Sequence, residues 1–198
     1  MIKIFSLIYL PLMGYLVGSI SSAIIVSKLM GLADPRQTGS GNPGATNVLR
    51  SGNKVAAALT LAGDIIKGTI PVLIADAYTN NATLIAIVAL CAFLGHLFPI
   101  FFGFKGGKGV ATAIGIFLGI SLKVSGFIML IWLACAVVSR YSSLSALVAS
   151  AATPILFSLF KPEPAYIVVS AILAGLLFWR HSANIQRLRD GTESKINF

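Results

Sequence analysis

The chain has 198 residues, 57% of them hydrophobic and 11% charged, with a net charge of +9. Soluble domains carry about 25% charged residues, so this chain cannot cover its apolar surface in water. The expectation is an all-α, polytopic integral membrane protein of about seven transmembrane helices, each of roughly 20 residues, forming one domain over 1–198.

In chain order, the first span covers 4–30. It follows Lys3 and resembles a signal peptide, but the run is longer than the apolar region of one, so an uncleaved span is expected. A polar, Gly-rich loop runs to Lys54. The second span covers 55–75 and the third 82–102. A short loop with Lys105 and Lys108 follows. The apolar stretch 110–138 is too long for one crossing and divides at Ser121-Leu122-Lys123 into two short spans. The sixth and seventh spans cover 146–160 and 165–179, and a polar tail ends the chain. Cys91 and Cys135 sit inside apolar runs and read as buried packing residues, since no Cys or His spacing suits a metal. No metal or other cofactor is implied. Nucleic-acid partners are excluded, because no basic run carries interleaved aromatics.

Positive charge sets the orientation. The side holding the first, third and fifth loops and the tail carries Lys28, Arg36, Arg50, Lys54, Lys105, Lys108, Arg140, Arg180, Arg187, Arg189 and Lys195, eleven in all. The opposite side carries three, Lys3, Lys123 and Lys161, while Lys67 lies within a span. The N-terminus is therefore expected outside and the C-terminus in the cytoplasm.

Four polar segments then fall on the cytoplasmic face. The first, 38–50, combines Gly39, Gly41 and Gly44 with Ser40, Asn42, Thr46, Asn47 and Arg50. Glycines allow left-handed backbone and consecutive N–H groups can form an anion-binding nest, so an anion cradle is expected over a plain turn. Its formal match to a dinucleotide fingerprint fails, because a membrane span and not a strand precedes it.

The second segment runs from Gly95-His96 through Gly103 to Lys105-Gly106-Gly107-Lys108-Gly109. Lysine at a helix start with free N–H groups is a phosphate site by type, although no Ser or Thr follows Lys108 as a Walker loop requires. Charge bias alone explains two lysines but not four glycines.

In the third, Arg140-Tyr141-Ser142-Ser143-Leu144-Ser145, the hydroxyls are either functional or helix caps. In the fourth, His181 and Asn184 share a helical face, followed by Arg187, Arg189 and Glu193. Asp64 and Lys67 lie inside the second span at i, i+3 spacing, where a mutual ion pair is expected. Neither histidine has an Asp five residues later, and no Gly-x-Ser-x-Gly elbow exists. A protein nucleophile is therefore not evident.

These segments resemble the bacterial acyl-phosphate:glycerol-3-phosphate acyltransferase family. The likeness rests on GSISSAIIVSK (18–28), DPRQTGSGNPGATNVLR (34–50), DIIKG (64–68), GHLFPIFFGFKGGKGVATA (95–113), RYSSLSA (140–146) and RHSANIQRLRDGTESK (180–195). The resemblance implies transfer of a fatty acyl group from acyl phosphate to the 1-hydroxyl of glycerol 3-phosphate. The products are lysophosphatidic acid and phosphate, and the step is the first acylation of phospholipid synthesis. It implies a multi-pass protein of the bacterial inner membrane with its site facing the cytoplasm. Its partners are the two substrates, membrane lipid and, transiently, the soluble enzyme that makes acyl phosphate.

By the same resemblance, Arg50, Ser143, His181 and Asn184 serve catalysis, with Ser143 the better match than Ser145. Ser40, Gly41, Asn42, Gly44, Thr46, Asn47, Lys105, Gly106, Gly107, Lys108 and Gly109 bind substrate and its phosphate. Asp64, Lys67 and Glu193 are structural.

Acyl phosphate is a mixed anhydride with a good leaving group, so positioning and charge stabilisation are the main demands. Direct attack by the glycerol hydroxyl is expected, with the donor phosphate or His181 taking the proton. An anion transporter is the alternative, and it would place its site near the midplane. A scaffolding membrane protein leaves the Gly/Lys loops unexplained.

Overall fold

The structure is a computed structural model that describes residues 2–196, with side chains from Ser6 onward. All regular structure among the described residues is helical. The chain divides into two compact units, Met1–Ile120 and Ser121–Phe198.

Among the described residues the first unit holds six α-helices: α1 (Ile2–Gly18), α2 (Ser22–Leu29), α3 (Ala45–Arg50), α4 (Lys54–Tyr78), α5 (Ala82–Leu97) and α6 (Val110–Ile120). The expected first span, 4–30, is not one helix. It breaks at Ser19–Ser21, and α1 and α2 meet at a 42° bend. The break sits at a tight crossing. A Cβ on Gly18 would strike the backbone of Ala92, and one on Gly95 would fall 2.8 Å from Ser19 N, so α1 and α5 touch backbone to backbone. Such glycine-lined crossings suit membrane helices, which gain no hydrophobic driving force from each other and associate by close contact. The α4–α6 crossing is built the same way. Gly68 faces Ile116 N (3.0 Å to a built Cβ) and Gly115 faces the carbonyl carbon of Ile65 (2.8 Å).

Helix starts are fixed by side-chain caps. Asn53 Oδ1 accepts from Ala56 N at 2.9 Å to start α4, and Asn81 Oδ1 accepts from Leu84 N at 3.1 Å to start α5. Each satisfies an otherwise orphaned N–H. α5 ends before Pro99, and a single 3₁₀ turn (Ile100–Phe102) follows. The unexpected α3 sits within the first Gly-rich loop. It docks through Val48 onto a small core of Ala23, Ala56 and Ala57, which anchors the end of that loop between α2 and α4.

The second unit holds α7 (Leu122–Ser139), α8 (Ser142–Phe160), α9 (Pro164–Arg180) and α10 (Ser182–Arg189). The division of 110–138 falls where expected: Ser121 Oγ accepts from Val124 N at 3.4 Å and caps α7. The tail is not simply polar coil, because α10 continues from α9 across a 60° bend at His181.

Among the described residues four helices are long and apolar enough to cross a membrane, and up to six crossings result if each bent pair counts as one. A seventh would come from α6, whose 11 residues are apolar but short. The outward faces agree with lipid as solvent. On α7, Leu130, Leu133, Val137 and Val138 are exposed, and on α4 so are Leu59, Ile66, Ile70 and Leu73. Contiguous apolar faces of this kind are not stable in water. Cys91 and Cys135 are half-buried, not buried. Their helices turn one side outward, so an apolar run does not imply an enclosed side chain.

Candidate active site

The first Gly-rich loop is organised by Asn47, whose side chain is buried. Its Nδ2 donates to Pro35 O at 2.7 Å and Thr38 O at 3.0 Å, and its Oδ1 accepts the Ser40 N–H at 2.9 Å. Asn47 is thus the loop's internal strut. Gly39 has φ +57° and a Cβ there would strike Asn47 Oδ1, so both backbone and space demand glycine.

The loop's own acceptors engage several amides: Ser40 N–H by Asn47, Gly41 N–H by Thr38 O and Gly44 N–H by Asn42 O. The expected anion nest therefore does not run through these three groups. Ser40, Gly41, Thr46 and Arg50 are exposed, and Asn42 and Gly44 half-buried. Arg36 closes the loop's start, pairing with Asp34 at 2.6 Å and reaching Phe102 O at 3.3 Å. Hydrogen bonding to Arg36 holds the Asp34 carboxyl below its ordinary range.

The second Gly-rich segment turns sharply at Gly103 (φ +66°) and Phe104 (φ +59°). A left-handed bulky residue costs about 1–3 kcal/mol. The Phe104 N–H bond to Pro99 O, 3.0 Å, helps hold it. Lys105 is exposed, Gly106 and Gly107 are buried, Lys108 is half-buried and α6 starts at Val110.

Three of the glycines here have a packing reason. A Cβ on Gly106 would lie 2.5 Å from Leu97 O, one on Gly107 would strike the His96 ring, and one on Gly109 would strike Phe93. A Cβ on Gly107 would also lie 3.1 Å from Pro43 O. The two Gly-rich segments therefore meet there, backbone on backbone.

Beneath them is a buried polar cluster. Asp64 Oδ1 and Lys67 Nζ are 2.7 Å apart, as the i, i+3 spacing predicts. Lys67 Nζ also donates to Ile20 O, at the break between α1 and α2, at 2.7 Å. His96 Nδ1 lies 3.8 Å from Asp64 Oδ1. Thr60 and Thr112 are fully buried, and their hydroxyls have no hydrogen-bond partner among the described residues.

In the second unit, Glu193 is the hub. Its Oε1 accepts from Ser143 Oγ at 2.8 Å and Asn184 Nδ2 at 2.6 Å, and its Oε2 from Arg187 Nε at 2.7 Å. Burial alone would raise the Glu193 carboxyl, but the three donors outweigh it and hold the group below its ordinary range. The tail is pinned further by Ile196 N–H to Arg140 O at 2.7 Å and by Lys195 over the Tyr141 ring at 5.7 Å.

Ser143 and Asn184 are brought together by Glu193. Ser145 is not among them; its hydroxyl bonds back to Tyr141 O at 2.8 Å. His181 is buried at the joint of α9 and α10, with Nδ1 2.8 Å from Leu177 O. A carbonyl only accepts, so this contact assigns a proton to Nδ1.

Sequence reasoning missed two roles. The sequence gives His96 a place in a motif without a task, and Arg187 only orientation charge. The signal for His96 was its place directly after Gly95 and before the Gly-rich turn. For Arg187 it was an acid, Glu193, six residues on.

A family model described as glycerol-3-phosphate acyltransferase matches residues 8–191. Among curated relatives, a glycerol-3-phosphate acyltransferase of Thioalkalivibrio sulfidiphilus is 55% identical over 187 residues, covering 94% of this chain and 92% of that one. One of Neisseria meningitidis serogroup B is 52% identical, covering 92% and 93%. Among solved structures, PlsY (YgiH), an integral membrane glycerol 3-phosphate acyltransferase, is similar in its glycerol 3-phosphate form with TM-score 0.93 at 37% identity, covering 97% of this chain and 96% of that one. Its lysophosphatidic acid form gives TM-score 0.91 at 36% identity with the same coverage.

Proposed function

The chain belongs to the glycerol-3-phosphate acyltransferase family, and from that premise we propose that acyl phosphate is its acyl donor. The reaction is transfer of a fatty acyl group to the 1-hydroxyl of glycerol 3-phosphate, giving lysophosphatidic acid and inorganic phosphate. The observation that carries this reading is the meeting of the two Gly-rich segments at Pro43 and Gly107, with Lys108 beside the contact. Both substrates bear phosphate, and two adjoining polar loops at one end of a helical unit suit such a pair.

The glycerol oxygen attacks the acyl carbonyl carbon, the carbonyl carbon–phosphate oxygen bond breaks, and the phosphate departs with the hydroxyl proton. Lys108 and Arg50 stabilise the charge, and Ser40, Asn42, Thr46, Lys105 and the loop glycines complete the binding surface. Asn47, Asp64, Lys67 and Glu193 hold the frame. His181 is the competing proton acceptor, and Ser143 and Asn184, which Glu193 joins within the second unit, serve catalysis by the family resemblance. The family match spans both units, which supports one domain serving one activity. A midplane transport site finds no support, because the deep charges Asp64 and Lys67 are spent on each other and on Ile20 O.

The eleven-to-three charge bias supports a cytoplasmic site, an external N-terminus and an odd number of crossings. Seven crossings result with α6, about 16 Å long, as the short one.

The test is purified protein with acyl phosphate and glycerol 3-phosphate, scoring lysophosphatidate. Acyl-CoA or acyl carrier protein serving equally well would overturn the donor assignment. Near-normal turnover of His181→Gln would remove His181 as the base, and a labelled acyl-protein trapped from the donor would remove direct attack.

A further inference from the structure

His96 is buried, and it touches the second Gly-rich turn with both backbone and ring. Its carbonyl accepts the Gly107 N–H at 3.2 Å. Its Nε2 occupies the space a Gly107 Cβ would take, and the His96 and Leu97 carbonyls occupy that of Gly106. On its other side Nδ1 faces Asp64 Oδ1 at 3.8 Å, an electrostatic contact longer than a hydrogen bond. Asp64 pairs with Lys67, and Lys67 holds Ile20 O at the α1–α2 break. A continuous series of contacts thus runs from the broken first span, through α4, to the turn that carries Lys108.

We infer that His96 is a positioning residue, one that sets the height of the Gly106–Gly107 turn and thereby places Lys108 against substrate phosphate. The inference rests on the proposed reaction for its kinetic readout, but not for its binding readout. The ring is rigid and enclosed, so the turn cannot sink toward α4 while His96 is present. The built Cβ on Gly107 lies 3.1 Å from Pro43 O, so the turn cannot rise without disturbing the first loop either. His96 therefore fixes a spacing between two loops without touching substrate.

The experiment compares wild type with His96→Ala, His96→Gln, Gly107→Ala, Lys108→Ala and the His96→Ala/Gly107→Ala double variant, each purified and checked for its thermal midpoint. Steady-state kinetics give KM for both substrates, and direct equilibrium binding of labelled inorganic phosphate gives its affinity without turnover. Displacement by a fraction of an ångström to about 1 Å costs on the order of tenfold to a hundredfold. His96→Ala is expected to raise, by about tenfold or more, KM for the same substrate that Lys108→Ala affects, and to weaken inorganic phosphate to a similar degree. His96→Gln, which can return a polar atom beside Gly107, should recover a substantial part.

Gly107→Ala should be severe in the wild-type background and milder once the ring is gone, so that the two effects are not additive. Additive effects, or a lowered thermal midpoint with unchanged KM and phosphate affinity, would overturn the assignment. Wild-type turnover scores the reaction itself, so an inactive wild type overturns the donor reading. The phosphate-affinity comparison still decides the role of His96 in that case.

Discussion

Glu193→Gln tests how the tail is held in the second unit. The carboxylate accepts three hydrogen bonds, two on Oε1 and one on Oε2. Glutamine can keep a carbonyl toward Ser143 and Asn184, but its amide then faces the Arg187 Nε–H, donor against donor. That charge-assisted bond is worth about 1.5–3 kcal/mol, and the low end applies because the Arg187 side chain is 41% exposed. The other two bonds become neutral and lose about half their strength, roughly 1 kcal/mol each at most. The sum, about 3 kcal/mol, corresponds to an opening of the tail increased about a hundredfold.

Opening of this kind is local, so hydrogen exchange is the assay. The amides of Thr192, Glu193 and Ile196 report it, since their acceptors are Arg187 O and Arg140 O. The same variant should lower turnover, because Asn184 loses its charged anchor. Exchange at these amides within about twofold of wild type would refute the reasoning, since a hundredfold is expected. The pH sign follows from the lowered carboxyl. Its stabilisation is complete above the ordinary carboxylate range and is lost only as pH falls through the lowered folded value. Tail protection in the wild type is therefore expected to be flat between about pH 6 and pH 8.

Other expectations follow from single contacts. Asn47→Ala removes three bonds from a buried strut and should cost about 2–4 kcal/mol locally, read as protease sensitivity of 35–47 with loss of activity. Gly115→Val drives side-chain carbon into the backbone of Ile65. The overpacking cost should reach or exceed about 3 kcal/mol and appear as a lowered thermal midpoint and poor folded yield. Thr60→Val replaces a buried hydroxyl that has no partner among the described residues, and should leave stability unchanged or raise it by about 1 kcal/mol. A large loss of thermal midpoint would show that the hydroxyl has a partner in the membrane-embedded protein.

The spans were legible because hydropathy is a local property of about 20 residues, and the division at Ser121 because a cap and Lys123 interrupt the run. The break at Ser19–Ser21 was not. Gly18 and Ser19 are tolerated in continuous membrane helices, and the interruption depends on Ala92 and on Lys67, which is 47 positions from Ile20. α10 was hidden for a related reason. Its sequence is polar, and the tail beside it is ordered by Glu193, Asn184 and Arg187 rather than by an apolar face.

The glycines carried a mixed signal. Their clustering at 106–109 pointed to phosphate, yet His96, Leu97 and Phe93 account for three of them through packing. Composition could flag the position but not separate ligand approach from neighbour approach.

The lysine bond to Ile20 O has a consequence for biosynthesis. The chain is made from its N-terminus, so 1–30 enters the bilayer before Lys67 has docked beside it. At that stage no ammonium can satisfy the carbonyl at the break, and an unsatisfied carbonyl in hydrocarbon costs several kcal/mol. A continuous helix is the favoured form of a lone first segment. The 42° bend is therefore expected only after α4 has entered the bilayer and docked, as a late event in the maturation of the nascent chain.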